Sequence, residues 1–251
     1  MSKLQLPNVT LIAVTSVRVY ETVEALKYSM RGIDFGEVVL VSHEKPRFLP
    51  EEITFKQCEP ITDIDRFNYM MVYEIAPYVS KDYALLVHYD GFVVHPEAWK
   101  KEFLDYDYIG SPWPIPTDDA ASFTDADGNI VRVGNSVSIR SKRILEYPSK
   151  HNLEWRTHAS GFYNEDAFLC VMNKVQMEKD GLKFATIDIA KYFGREHPLP
   201  ENRDIDTFVF HKWWGPNEKY PKFESKGAKA KRILADISRP VRNVLGIHKR
   251  G

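Results

Sequence analysis

The sequence predicts an α/β domain with an open sheet flanked by helices, and three observations predict it. Near-continuous apolar runs rich in branched residues recur at 9–14, 37–42 and 85–87, the pattern of strands buried on both faces. A helical stretch over 20–31, with Val23, Leu26, Tyr28 and Met30 apolar and Gly32 as its stop, separates the first two runs. Strand, helix, strand reads as a βαβ unit with parallel strands.

The remaining elements follow in order. A Pro-rich loop from Pro46 to Pro50 leads to a short segment near Phe55, and Asp63 is placed to cap a helix carrying Ile64, Phe67, Met70, Met71, Tyr73 and Ile75 that ends near Pro77. The segment 106–114, aromatic and Pro-rich, is incompatible with a regular helix. Residues 118–129 are polar, and without EF-hand spacing or a terminal Glu they read as a surface loop, not a calcium site. The stretch 130–140 alternates like a strand with a glycine kink at Gly134, and a further loop carries Trp155, His158, Ser160 and Gly161. Asn164 is a natural N-cap for a helix whose first turn holds Glu165 and Asp166, and whose apolar face carries Phe168, Leu169, Met172 and Val175. The last core strand is 207–210, running into His211-Lys212-Trp213-Trp214.

The 251 residues suit one large domain, placed at 1–224, followed by a tail at 225–251. With 43% hydrophobic and 27% charged residues, the composition is that of an ordinary soluble globular protein. A formal net charge of −1 gives no support for nucleic acid as a partner. Two cysteines, Cys58 and Cys170, are too few for a disulfide framework and do not form a metal-type pair. No run is long enough to span a bilayer and the N-terminus lacks a signal-peptide pattern, so the expected location is cytoplasmic.

The third apolar run breaks at His88-Tyr89-Asp90-Gly91 before a second run, Phe92-Val93-Val94. In open α/β sheets ligands bind beyond the carboxyl ends of the strands, which is where Asp90 falls, and a carboxylate there suits a divalent metal and through it a phosphate. Asp-Gly is also a strong hairpin signal, so a plain turn is the competing reading. Glu165 and Asp166 likewise suit a helix dipole whether or not they belong to a site.

Taken together, five segments resemble glycosyltransferases of the GT-A type, and more closely the DUF5672 family of glycosyltransferase-like proteins. They are His88-Tyr89-Asp90-Gly91, Tyr106-Asp107-Tyr108-Ile109-Gly110-Ser111-Pro112-Trp113, Gly134-Asn135-Ser136-Val137-Ser138-Ile139-Arg140, Asn164-Glu165-Asp166 and Phe210-His211-Lys212-Trp213. The resemblance spans about residues 9–214 and implies a GT-A-like (Rossmann-like) open mixed sheet. It implies transfer of a sugar from a nucleotide-diphosphate donor, UDP-sugar favoured, to a glycan or lipid-linked acceptor.

It also implies roles. A strand-end Asp-x-Asp motif holds Mn²⁺ or Mg²⁺ in the family pattern; Asp90 matches its last acid, His88 stands where the first acid would, and His211 matches a late histidine that completes the site. Asp166, then Glu165, match the carboxylates that take the acceptor proton in inverting relatives. Thr15, Ser16 and Arg18 after the first strand, Arg66 and Asn68 on the second helix, and Lys212 are the expected nucleotide contacts. Asn135, Ser136 and Ser138 lie on the acceptor side, with Trp113 and Trp213 as expected sugar-stacking rings. Large aromatics are equally the stuff of cores.

The tail carries Lys226, Lys229, Lys231, Arg232, Arg239, Arg242, Lys249 and Arg250 with apolar residues at roughly helical spacing, which suits docking on an anionic inner membrane face. A solvated terminal helix is the competing reading of the tail. Two rivals to the transferase stand beside it. One is a sugar nucleotidyltransferase, against which the lack of a Gly-rich basic loop at Thr15-Ser16-Val17-Arg18 counts. The other is a non-catalytic nucleotide-sugar or glycan-binding module on the same fold.

Overall fold

A computed structural model of the chain describes residues 2–117, 123–156 and 164–224. Strands β1 (Leu4–Val14), β2 (Ile33–Ser42), β3 (Thr54–Gln57), β4 (Tyr83–Leu86), β5 (Tyr108–Pro112) and β6 (Val133–Ser141) form one mixed sheet in the order β3-β2-β1-β4-β6-β5. The first four run parallel, β6 is antiparallel to β4, and β5 is antiparallel to β6. A small second sheet joins β7 (Gly194–Arg195) to β8 (Val209–Phe210), and Val93 bridges to Val209.

Helix α1 (Val19–Ser29) crosses over between β1 and β2, completing the βαβ unit. β1 starts earlier than its apolar run because Leu4, Gln5 and Leu6 also pair with Ile33, Asp34 and Phe35. The register then slips between Leu6 and Thr10, where Pro7 has no N–H to give to the ladder. Leu11 and Ala13 face one buried cluster while Ile12 and Val14 face another, which is why this strand shows no polar alternation.

Helix α2 (Ile64–Tyr69) starts where the Asp63 carboxylate accepts the Arg66 N–H at 2.8 Å, a cap worth about 1 kcal/mol. It continues as a π turn over Met70–Glu74 and a 3₁₀ turn over Ala76–Tyr78 that contains Pro77. The chain then makes α3 (Lys142–Lys150), α4 (Glu165–Ala167), α5 (Lys174–Lys179) and α6 (Ile187–Phe193). α4 also passes into a π turn, Phe168–Met172. Asn164 occupies its N-cap position, but its side chain makes no capping bond; the Asp166 carboxylate accepts the N–H of Ala167 at 2.8 Å.

The aromatic segment forms β5 and leaves the strand at Trp113, and Cys170 is a buried core residue. The Asp125 carboxylate accepts the N–H groups of Asp127 and Asn129 at 3.0 and 2.9 Å, which makes this stretch a self-contained turn. His158, Ser160, Gly161 and the whole basic tail lie outside the described residues. Among the described residues no helix is long and apolar enough to cross a membrane.

Candidate active site

β1 and β4 are parallel neighbours, so the segments leaving their carboxyl ends converge on one edge of the sheet. An open cleft of about 350 Å³ lies there. Its walls come from Thr15 and Ser16 after β1, the start of α2, His88, Tyr89 and Asp90 after β4, Ser136 on β6, and His211 and Lys212 after β8.

Asp90-Gly91 is a turn, and it lies at the cleft. The His88 N–H donates to the Gly91 carbonyl at 2.7 Å and the Gly91 N–H to the His88 carbonyl at 3.2 Å, closing a tight turn. Tyr89 and Asp90 are its two central residues, so the turn is what presents Asp90 to the cleft. Gly91 is needed by packing: a Cβ there would sit 2.8 Å from His211 Cδ2 and 2.6 Å from Val137 Cγ2.

Asp90 is 5% exposed. Lys212 Nζ donates to its Oδ2 at 2.7 Å, and His211 Nε2 lies 3.8 Å from its Oδ1. Burial pushes the Asp90 carboxyl up, but His211, His88 and Lys212 together outweigh this and hold it below the usual carboxylate range. His88 stacks obliquely between Phe67 and His211, both ring centroids 5.8 Å away, and burial followed by His211 lowers its pKa to about 4. Its Nε2 is buried without a hydrogen-bond partner.

Ser136, which lines the cleft, hydrogen-bonds to Glu165 of a second acidic centre whose two carboxylates lie outside the cleft lining. Arg140, fully buried, donates to Glu165 Oε1 at 3.0 Å. Burial raises the Glu165 carboxyl, but Arg140 and the Ser136 hydroxyl overcome it and leave it lowered. The neighbouring Asp166 goes the other way: burial, then the Glu165 charge, push it up to about 7. Glu165 is therefore engaged by an ion pair, while the Asp166 carboxyl holds its proton more tightly than an ordinary aspartate.

The other expected residues separate into those at the cleft and those behind it. Ser16 lines the cleft and its hydroxyl accepts the Ile61 N–H at 2.9 Å. Arg18 stands at the rim, its guanidinium 4.9 Å from the centroid of the Tyr89 ring. Arg66 turns away to Glu74 at 2.6 Å, and Asn68 is buried in the helix that backs the cleft. Ser138 is fully buried and accepts from Arg140 Nε at 3.0 Å, a support for the ion pair. Trp113 is core, its indole packed where a Cβ on Gly134 would be 2.0 Å from ring carbon Cζ2. Trp213 is half-buried with its ring centroid 6.4 Å from that of Tyr89, and its Nε1 donates to the Pro221 carbonyl at 3.2 Å.

Three residues had no motif to reveal them. Glu196, just after β7, lies 3.4 Å from His211 Nδ1 and accepts from Asn135 Nδ2 at 2.7 Å. The side chain of Arg195 is fully buried and its Nε donates to Asn217 Oδ1 at 2.9 Å. Asn217 Nδ2 in turn donates to the carbonyls of Arg195 and Lys212 at 2.9 and 3.0 Å, fastening the His211-Lys212 segment to β7. The signal available was a polar cluster, Arg195-Glu196-His197, between apolar segments.

Among the described residues no group of three His, Cys, Asp or Glu side chains is drawn together to hold a metal by itself. The donors nevertheless fit an ion shared with a diphosphate, since such sites take one or two protein ligands and complete the shell with phosphate and water. A carboxylate oxygen of Asp90, the imidazole of His211 and the unpartnered Nε2 of His88 are what the site offers.

The model of a family described as a protein of unknown function (DUF5672) matches residues 51–211. No protein of curated function matches the sequence. Among solved structures, the galactosyltransferase LgtC in complex with donor and acceptor sugar analogues is 13% identical, with a TM-score of 0.50 over 92% of this chain and 97% of that one. The glycosyltransferase GlyE of Streptococcus pneumoniae TIGR4 is 9% identical, with a TM-score of 0.43 over 96% of this chain and 61% of that one. A mannosyltransferase of Pyrobaculum calidifontis, PcManGT, in complex with GDP-Man and Mn²⁺, is 11% identical at a TM-score of 0.41, covering 92% of this chain and 62% of that one. The likeness to LgtC shows the fold to be of the GT-A type: a mixed six-stranded sheet flanked by helices.

Proposed function

The chain belongs to the DUF5672 family, and from that premise we propose that it is a glycosyltransferase moving a sugar from a nucleotide-diphosphate donor to a glycan or lipid-linked glycan. The observation that carries this reading is the strand-end cleft, in which Asp90 is bracketed by His211 and Lys212. Departure of a nucleoside diphosphate needs its growing charge met by fixed cations. Lys212 supplies one as a point charge, and Arg18 stands at the rim to supply another. A Mn²⁺ or Mg²⁺ ion held by Asp90 and His211 would add Lewis-acid neutralisation of the diphosphate.

On the acceptor side Asp166 takes the hydroxyl proton as that oxygen attacks the anomeric carbon, in an inverting displacement. Glu165 keeps its own charge on Arg140, and by that charge raises the basicity of Asp166. Thr15, Ser16 and the start of α2 form the wall against which the nucleoside lies, UDP being the favoured donor. A cytoplasmic setting, with the basic tail on an anionic inner membrane face, would bring a lipid-linked acceptor to the cleft; a role in polysaccharide biosynthesis follows from that acceptor class.

Calorimetry of UDP-, GDP- and dTDP-sugars against the full chain, with Mn²⁺ and with EDTA, tests the reading. Binding that is lost in Asp90→Ala is expected. A folded protein that takes up none of these donors under either condition refutes the transferase.

A further inference from the structure

Glu196 belongs to no motif, yet its carboxylate lies beside Nδ1 of the His211 ring. Its side chain is 14% exposed, and Oε1 lies 3.4 Å from His211 Nδ1, a buried nitrogen with no hydrogen bond of good geometry. On its other side Oε2 accepts from Asn135 Nδ2 at 2.7 Å. Asn135 holds this position with a φ of 103°, a conformation that side-chain-bearing residues rarely adopt. Strain of this kind persists where the surroundings enforce it, and here it aims an amide at Glu196.

We propose that Glu196 is a positioning residue for the donor site: it keeps the ring proton of His211 on Nδ1, so that Nε2 is the nitrogen offered to the cleft beside Asp90. The proposal rests on the donor-site reading for its consequence, although not for its geometry. A carboxylate 3.4 Å from Nδ1 favours by its charge the tautomer that carries the proton on that nitrogen. With the proton held on Nδ1, the Nε2 lone pair and Asp90 Oδ1, 3.8 Å apart, are two electron-pair donors facing one another. That arrangement attracts a cation between them, and the class it fits is a divalent ion arriving with a diphosphate. Partners that orient a ligating histidine in this way are typically worth about 10- to 100-fold in metal affinity.

The test reads the ring directly. In the full chain labelled with ¹⁵N-histidine, long-range ¹H–¹⁵N correlations at pH 9, above the ordinary imidazole value of about 6.5, report which nitrogen carries the proton. Wild type is expected to show His211 protonated at Nδ1, and Glu196→Ala to shift the proton toward Nε2. Titration of Mn²⁺ with UDP or GDP should then show an affinity on the order of 10- to 100-fold weaker in Glu196→Ala. Asn135→Gly, which suits the backbone and removes the anchor of Glu196, should show a smaller loss. An Nε2–H tautomer in wild type, or an unchanged tautomer and affinity in Glu196→Ala, overturns the proposal; the wild-type spectrum decides even where the alanine variant does not fold. Failure of wild type to bind any nucleoside diphosphate overturns the transferase reading and the proposed metal consequence, while the tautomer still decides the geometry.

Discussion

Two aspartates, Asp90 in the cleft and Asp166 beside Glu165, are tuned in opposite directions. Asp90 is buried yet held low, because His211, His88 and Lys212 surround it. Asp166 is pushed up to about 7, because burial and the charge of Glu165 both resist its ionisation. The same side-chain type thus has its proton affinity lowered at one position and raised at the other. Environment, not residue identity, separates the two roles.

The contrast is broken most severely by removing the proton acceptor. Asp166→Asn is expected to lower kcat by about 10²- to 10⁴-fold with donor affinity unchanged, as single-turnover kinetics and calorimetry would show. In the parent protein the rate should rise with pH through about 7, as Asp166 loses its proton. Stability should move against it. A carboxyl raised in the folded state binds its proton more tightly there than in the unfolded chain, so its contribution is present below the ordinary Asp range and is lost as pH rises toward 7. The slope is at most about 1.4 kcal/mol per pH unit and should be absent in Asp166→Asn.

Arg140→Ala removes the partner of a buried carboxylate and should cost about 3–5 kcal/mol in urea denaturation, since Glu165 is left charged and unpaired. Gly91→Ala sharpens the comparison from the Asp90 side. Its methyl meets Val137 and His211, so a loss of about 1–3 kcal/mol is expected together with weaker donor binding. The smallest effect on stability should be Asp63→Ala, about 1 kcal/mol from a lost helix cap. A Gly91→Ala protein that binds donor as well as the parent would show that the turn does not govern the Asp90 wall.

The sequence by itself determined the α/β class, the βαβ start, the Asp63 cap and the strand-end place of Asp90. These follow from local rules: apolar runs, breakers and caps act over a few residues. It also singled out seven of the sixteen residues that line the cleft: Thr15, Ser16, His88, Asp90, Ser136, His211 and Lys212. Only the tertiary structure decided the division of labour. Glu165 and Asp166 are chain neighbours with similar motif value, and what separates them is Arg140, 25 positions from Glu165 on another element. Trp113 and Ser138 became core and Arg66 turned to Glu74, because packing partners, not residue types, set where a side chain points. Glu196, Asn135 and His211 converge from three separate segments, and no local spacing encodes their meeting. Charge and proton affinity depend on distances through space, and the fold creates those distances.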